Sequence, residues 1–175
     1  MIKDFTNIEY LKTGNKRQRL AYIQLSELEI FDTLKTYTPI LTGTIPIEID
    51  IPKSDLDIIC HCPNHQEFYT TLIKLYSDQN NFEIRTGFWN GLISVIAKFQ
   101  SEKYMIEIFG QDRPTQKQYA YRHMIKEYEI LNAKGSKFKE EILKLKKQGL
   151  KTEPAFAKLL GLIGDPYEEL LKYKI

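Results

Sequence analysis

Residues 43–59 read Gly43-Thr44-Ile45-Pro46-Ile47-Glu48-Ile49-Asp50-Ile51-Pro52-Lys53-Ser54-Asp55-Leu56-Asp57-Ile58-Ile59, and the last six decide the fold. Asp55 and Asp57 stand two apart and run into Ile58 and Ile59, the pattern of a strand. Side chains at i and i+2 of a strand face the same way, roughly 6–7 Å apart along the chain. Two carboxylates so placed converge on one cation, or they repel by roughly 4 kcal/mol at about 4 Å in an effective dielectric of about 20. Oxygen-only ligands without a nearby His favour Mg²⁺, which typically shares one or two carboxylates with a phosphate substrate.

Upstream, Thr38-Pro39-Ile40-Leu41-Thr42 predicts a short strand that ends at Gly43. Over 45–53 four isoleucines alternate with Pro46, Glu48, Asp50 and Pro52. Alternation says strand, and the two prolines restrict it to an edge strand or an extended loop. The carboxylate strand spans 54–61 and stops before Pro63. Ahead of all this, residues 17–35 place Leu20, Ile23, Leu28, Phe31 and Leu34 near helical spacing with no Pro or Gly, which predicts one helix.

Downstream, a helix over about 65–78 leads to strand-like runs at 82–88, 91–99 and 103–109. Asn90-Gly91 marks a hairpin between the first two. Asp112-Arg113-Pro114 opens a helix with the stripe Tyr121, Met124, Ile125, Tyr128 and Leu131. Gly135 separates it from a helix over 136–148, and Asp165-Pro166-Tyr167-Glu168 has the N-cap, N1 and N3 residues of a last short one. The expected fold is α/β: a small mixed sheet of about five strands with flanking helices, residues 1–112, followed by a C-terminal helical segment, 113–175, packed on it.

The chain has 175 residues, 42% of them hydrophobic and 12% aromatic, enough for a real core. It has no 18-residue apolar run and no basic-then-apolar leader, so neither a membrane span nor a secretory signal is read. Two cysteines one residue apart, Cys60 and Cys62, do not make a disulfide framework, and the expected compartment is the cytoplasm. Charge is uneven. Residues 1–112 carry eleven Lys/Arg against fifteen Asp/Glu, and residues 113–151 eleven against four. An acidic half beside a basic helical one suits a polyphosphate ligand, although a solvated face is the plainer reading of a Lys-rich helix.

Phosphoryl or nucleotidyl transfer needs metal-binding carboxylates, a turn that grips phosphate, and a group that activates the attacking hydroxyl. Asp55 and Asp57 supply the first. Gly43 lets backbone approach a phosphate, and Thr44, with Ser54, adds hydroxyls. Glu107, in Tyr104-Met105-Ile106-Glu107-Ile108-Phe109, is a lone acid in an apolar strand, expensive to bury unless paired or metal-bound.

Gly43-Thr44 followed by Ser54-Asp55-Leu56-Asp57-Ile58 resembles the signature of the polymerase-β-like nucleotidyltransferase superfamily. Together with Tyr121-Arg122-His123-Met124 and Lys151-Thr152-Glu153-Pro154-Ala155-Phe156-Ala157, it resembles a small bacterial family of unknown function within that superfamily, over roughly residues 15–172. The resemblance implies that Asp55 and Asp57 bind two Mg²⁺ ions and that Glu107 is the third carboxylate. It further implies that Gly43 and Thr44 hold the β and γ phosphates of a nucleoside triphosphate. Thr44 stands where Ser is commoner, and Glu107 where Asp is more usual. No Arg or Gly follows the turn, so the helix usually found there is in question.

Arg122 and Lys126, four apart on the helix face away from the apolar stripe, are candidates to grip a triphosphate tail, with a solvated pair as the alternative. For His123 the plainer expectation is a structural hydrogen bond, for instance to Glu127. Trp89 either stacks on a base or packs the hairpin tip. Cys60-His61-Cys62 is tighter than zinc spacing allows. The function expected is a Mg²⁺-dependent nucleotidyltransferase that moves a nucleoside monophosphate from a triphosphate to an unknown acceptor. The alternative is a non-catalytic nucleotide or phospholigand-binding protein of the same fold. Weak net charge and the lack of aromatic-basic interleaving argue against a nucleic-acid binder.

Overall fold

The computed structural model describes residues 3–175. Five strands, β1 (Ile40–Thr42), β2 (Leu56–His61), β3 (Asn80–Trp89), β4 (Leu92–Gln100) and β5 (Met105–Gln111), form one mixed sheet in the order β1-β2-β5-β4-β3. Only β2 and β5 are parallel; the other neighbours are antiparallel. The Asn90-Gly91 hairpin joins β3 to β4 with both residues at positive φ, 49° and 80°, the conformation a two-residue turn of matching twist demands.

Alternation along the strands gives the sheet two unlike faces. Leu56, Ile58, Val95, Ala97, Phe99, Ile106 and Ile108 are buried in one cluster. Phe68, Leu72 and Tyr76 of the helix α3 (His65–Tyr76) join them, and Tyr76 stacks on Phe99 at 5.1 Å. Asn64 caps α3 by accepting from the Glu67 N–H. On the other face, Asp57 of β2, Glu107 of β5 and Lys98 of β4 stand in one cross-strand row.

The C-terminal half is helical: α4 (Tyr119–Lys134), α5 (Ser136–Lys147), α6 (Thr152–Leu160) and α7 (Pro166–Lys172). Their inner faces, among them Met124, Ile130, Ile142, Phe156 and Leu170, make a second cluster that also takes in Phe5, Ile47 and Ile49. Asp165 caps α7 by accepting from Tyr167 N at 2.8 Å, with Pro166 in the first turn, as the sequence predicts. No helix among the described residues is long and apolar enough to cross a membrane.

Three local expectations are corrected. The helix over 17–35 is two: α1 (Lys16–Glu27) and α2 (Ile30–Thr33), parted at Glu29, which sits at φ 50°. Its stripe also differs, since Ile23 is 46% exposed while Ala21 and Leu25 are buried; the break turns Ile30 and Leu34 into the same core. Residues 45–53 are not a strand, because the chain turns over 45–48 and no strand pairs with it. Ile45 enters the first cluster while Ile47 and Ile49 enter the second, so the alternation fastens two cores together. The helix foreseen at Asp112 starts instead at Tyr119. A 3-10 turn at Thr115–Lys117 precedes it, and the Gln118 side chain donates to the Cys60 and Arg113 carbonyls, both at 2.9 Å.

Candidate active site

Asp57 lies inside β2 and Asp55 one residue before it. Asp57 pairs in register with Glu107 on the parallel strand, so the two carboxylates stand side by side about 4.8 Å apart at the backbone. Burial first, then the charges of Glu107 and Asp55, push the Asp57 carboxyl up to about 7. Asp55 is also raised, chiefly by burial, with Lys98 opposing. Glu107 is ion-paired to Lys98 across the sheet, Nζ to Oε2 at 2.5 Å.

Gly43 follows β1 directly and takes φ +79°. A Cβ at that position would collide with Asp57 Oδ2, so glycine is required twice over, for its backbone angle and for room beside the carboxylate. Thr44 donates its hydroxyl to Ser54 Oγ at 3.2 Å, and Ser54 Oγ accepts from Ile51 N at 2.9 Å. The loop is anchored from outside by Arg17, whose Nε meets Asp50 Oδ2 at 2.6 Å. No helix follows this turn; one turn of backbone and the hydroxyls of Thr44 and Ser54 stand beside the carboxylates.

Two cavities meet at these residues and share Thr44, Asp57, Glu107, Thr152 and Glu153. One, of about 690 Å³, holds all three acids together with Lys53, Lys146 and Lys151. Lys146 is 5% exposed and donates to the Ile49 carbonyl at 2.7 Å; burial lowers its pKa and the surrounding carboxylates resist that. The other, of about 370 Å³, is lined by Trp89, Phe109, Tyr119, His123 and Glu127 as well as Gly43. The largest cavity, about 880 Å³ around Tyr22, Phe31 and His61, contains none of the three acids, so size alone does not mark the site.

The donor set suits a hard divalent cation: three carboxylates line one cavity, and the charge of Glu107 adds to the cost of ionising Asp55 and Asp57. It is not a preformed cage. Among the described residues no three His, Cys, Asp or Glu side chains are arranged to hold a metal ion, and Lys98 occupies Glu107.

Arg122 and Lys126 line neither of the two cavities. Arg122 lies over the Tyr119 ring and Lys126 pairs with Glu129 at 3.5 Å. His123 is bound by the Tyr167 carbonyl at 2.8 Å, its Nε2–H donating, and not by Glu127. Trp89 meets Phe109 edge to face at 6.3 Å, with the Arg85 guanidinium 5.5 Å from its ring. Cys60 and Cys62 are free and buried, and burial raises both thiols. Sequence reasoning passed over Lys98 and Lys146. The signal for Lys146 was a charge one residue after Leu145 in the stripe Phe138, Ile142, Leu145 of α5.

The fold is shared with solved nucleotidyltransferase structures. The structure is similar to the Cid1 poly(U) polymerase in its MgGTP-bound form, with TM-score 0.55 at 11% identity, covering 76% of this chain and 42% of that one. It is also similar to the polymerase core of TRAMP, an RNA surveillance complex, with TM-score 0.53 at 13% identity over 94% of this chain and 59% of that one. A cytoplasmic RNA terminal U-transferase gives TM-score 0.51 at 13% identity, covering 79% and 41%. The chain thus spans between two fifths and three fifths of the length of these structures. No curated protein matches the sequence. A family model, described as a domain of unknown function (DUF4269), matches residues 23–173, and the chain belongs to that family.

Proposed function

We propose that this chain is a Mg²⁺-dependent nucleotidyltransferase that moves a nucleoside monophosphate from a nucleoside triphosphate to an acceptor the fold does not identify. The observation that carries the reading is the gathering of Thr44, Asp55, Asp57 and Glu107 in one cavity, with Asp57 and Glu107 in register on parallel strands and Gly43 against Asp57. In this reading residues 1–112 provide the acidic wall, and residues 113–175 the facing wall with Lys146 and Lys151.

Asp55, Asp57 and Glu107 would hold the magnesium, which would supply screening of the charge on the α-phosphate and the pyrophosphate. Gly43 and Thr44 present backbone N–H groups to the β and γ phosphates, while Lys53, Lys146 and Lys151 counter their charge. Glu107, released from Lys98, takes the proton of the acceptor hydroxyl. The acceptor oxygen bonds to the α-phosphorus as the bond to the β-phosphate oxygen breaks, and pyrophosphate leaves.

The test is calorimetric titration of ATP, GTP, CTP and UTP with and without Mg²⁺ against wild type and Asp55→Asn/Asp57→Asn, together with a pyrophosphate-release assay. Metal-dependent binding lost in the double variant supports the reading; absence of binding by every triphosphate sinks it. A second reading, a nucleotide or phospholigand binder without turnover, draws on one observation, the Lys98–Glu107 pair, which places an ammonium where a metal ligand is needed. It predicts nucleotide binding with no pyrophosphate release in the presence of amine-bearing or hydroxyl acceptors.

A further inference from the structure

Charge is segregated between the two cavities. Lys53, Lys146 and Lys151 all line the larger one. The smaller one has no Lys or Arg on its walls and is bordered by four acids, Asp57, Glu107, Glu127 and Glu153. Glu127 is the unusual member. It sits on α4 and is 4% exposed. Among the described residues it accepts no hydrogen bond and forms no ion pair, and it lines the cavity.

The groups that would ordinarily satisfy Glu127 are committed elsewhere. His123, one turn earlier on α4, donates to the Tyr167 carbonyl. Lys146 donates to the Ile49 carbonyl and lines the other cavity. Burial first, then the charge of Glu153, hold the Glu127 carboxyl well above its usual range; Lys146 opposes this through its charge but forms no ion pair with it. A carboxyl buried without a partner is expensive unless something that enters the cavity supplies the partner. Trp89 and Tyr119 present ring surface to the same space, which suits a cation as well as a sugar or ring.

We infer that the smaller cavity receives the acceptor, and that it selects a small hydroxylated molecule bearing a protonated amine, with the ammonium bound by Glu127 and Glu153. The inference rests on the nucleotidyltransferase reading and adds the class of acceptor. A volume of about 370 Å³ suits a small molecule, and Glu127 and Glu153, which lie outside the metal set, disfavour a polyanion such as an RNA end.

The test uses the full chain and two matched probes, diaminopropanol and glycerol, titrated with Mg²⁺ and a non-hydrolysable ATP analogue present. Diaminopropanol binds wild type and loses about tenfold or more in affinity in Glu127→Gln, the loss of one charge-assisted hydrogen bond. Glycerol shows no Glu127-dependent binding. Gln matches Glu in volume and spares the fold, which circular dichroism verifies, and Glu153→Gln serves as a second variant that weakens the amine independently. Amine affinity equal in wild type and both variants overturns the inference, as does no amine binding to the nucleotide-loaded protein. Glu127-dependent amine binding without any nucleotide binding supports the amine site and overturns the transferase reading alone.

Discussion

Replacing Gly43 by Ala tests whether the phosphate turn and the central carboxylate are one mechanical unit. At φ +79° an L-residue is strained by about 1–2 kcal/mol. The new Cβ also collides with Asp57 Oδ2, while Asp57 Cβ lies at an ordinary 3.6 Å. Swinging that carboxylate some 30° off its rotamer adds about 0.5–1.5 kcal/mol. Gly43→Ala therefore loses about 2–3 kcal/mol in urea denaturation, and Tm falls by roughly 4–12 °C at 2–4 °C per kcal/mol for a chain of this size. Gly161 is the control: it sits at φ +66° with nothing within 4 Å of a built Cβ, so Gly161→Ala loses the backbone strain alone, about 1–2 kcal/mol. In an Asp57→Ala background the collision disappears and Gly43→Ala drops to the same value. The double-mutant cycle then reads a coupling of about 0.5–1.5 kcal/mol. Equal losses in both backgrounds, no greater than that of Gly161→Ala, would refute the reasoning and detach Gly43 from the carboxylate.

Asp57→Asn stabilises the protein in EDTA at pH 8 and does so by less than half as much at pH 5. A carboxyl raised from 3.8 to about 7 contributes its stability below the unfolded value and loses it as pH rises through about 7. The gain has a ceiling of ~4 kcal/mol and is expected at about half that after relaxation; a pH-independent effect in calorimetry at the two pH values contradicts it. Lys98→Met leaves stability within about 1 kcal/mol, because the pair is partly exposed, and tightens Mg²⁺ binding by freeing Glu107; unchanged or weaker binding in titration argues against competition. Lys146→Met keeps the fold to within about 1–3 kcal/mol, the expense of leaving the Ile49 carbonyl unpaired, and weakens triphosphate binding about tenfold. Wild-type triphosphate affinity in that variant removes Lys146 from the phosphate side.

Local chemistry made much of this architecture legible. Asn90-Gly91 needs no distant partner to turn, and Asp165-Pro166 needs none to start a helix, so both were readable from neighbours alone. Period-two patterning located β3, β4 and β5 to within a few residues. Where the reading failed, packing had overruled local preference. The isoleucines of 45–49 are spaced like a strand's, yet one core takes Ile45 and the other takes Ile47 and Ile49, and Glu29 adopts a left-handed angle that nothing in its neighbourhood requests. Lys146 and Glu127 look like ordinary surface charges on helices until the helices dock and carry them inside.

The sequence by itself determined the sheet, its hairpin and the placing of Asp55 and Asp57 beside a glycine turn, since strand alternation and turn chemistry act over a few residues. Tertiary structure alone decided that Asp57 faces Glu107 in parallel register, that Lys98 reaches Glu107 first, and that lysines line one cavity and glutamates the other. Those relations join residues from nine to about a hundred positions apart. They depend on how buried surfaces close over one another, and no spacing along the chain encodes that.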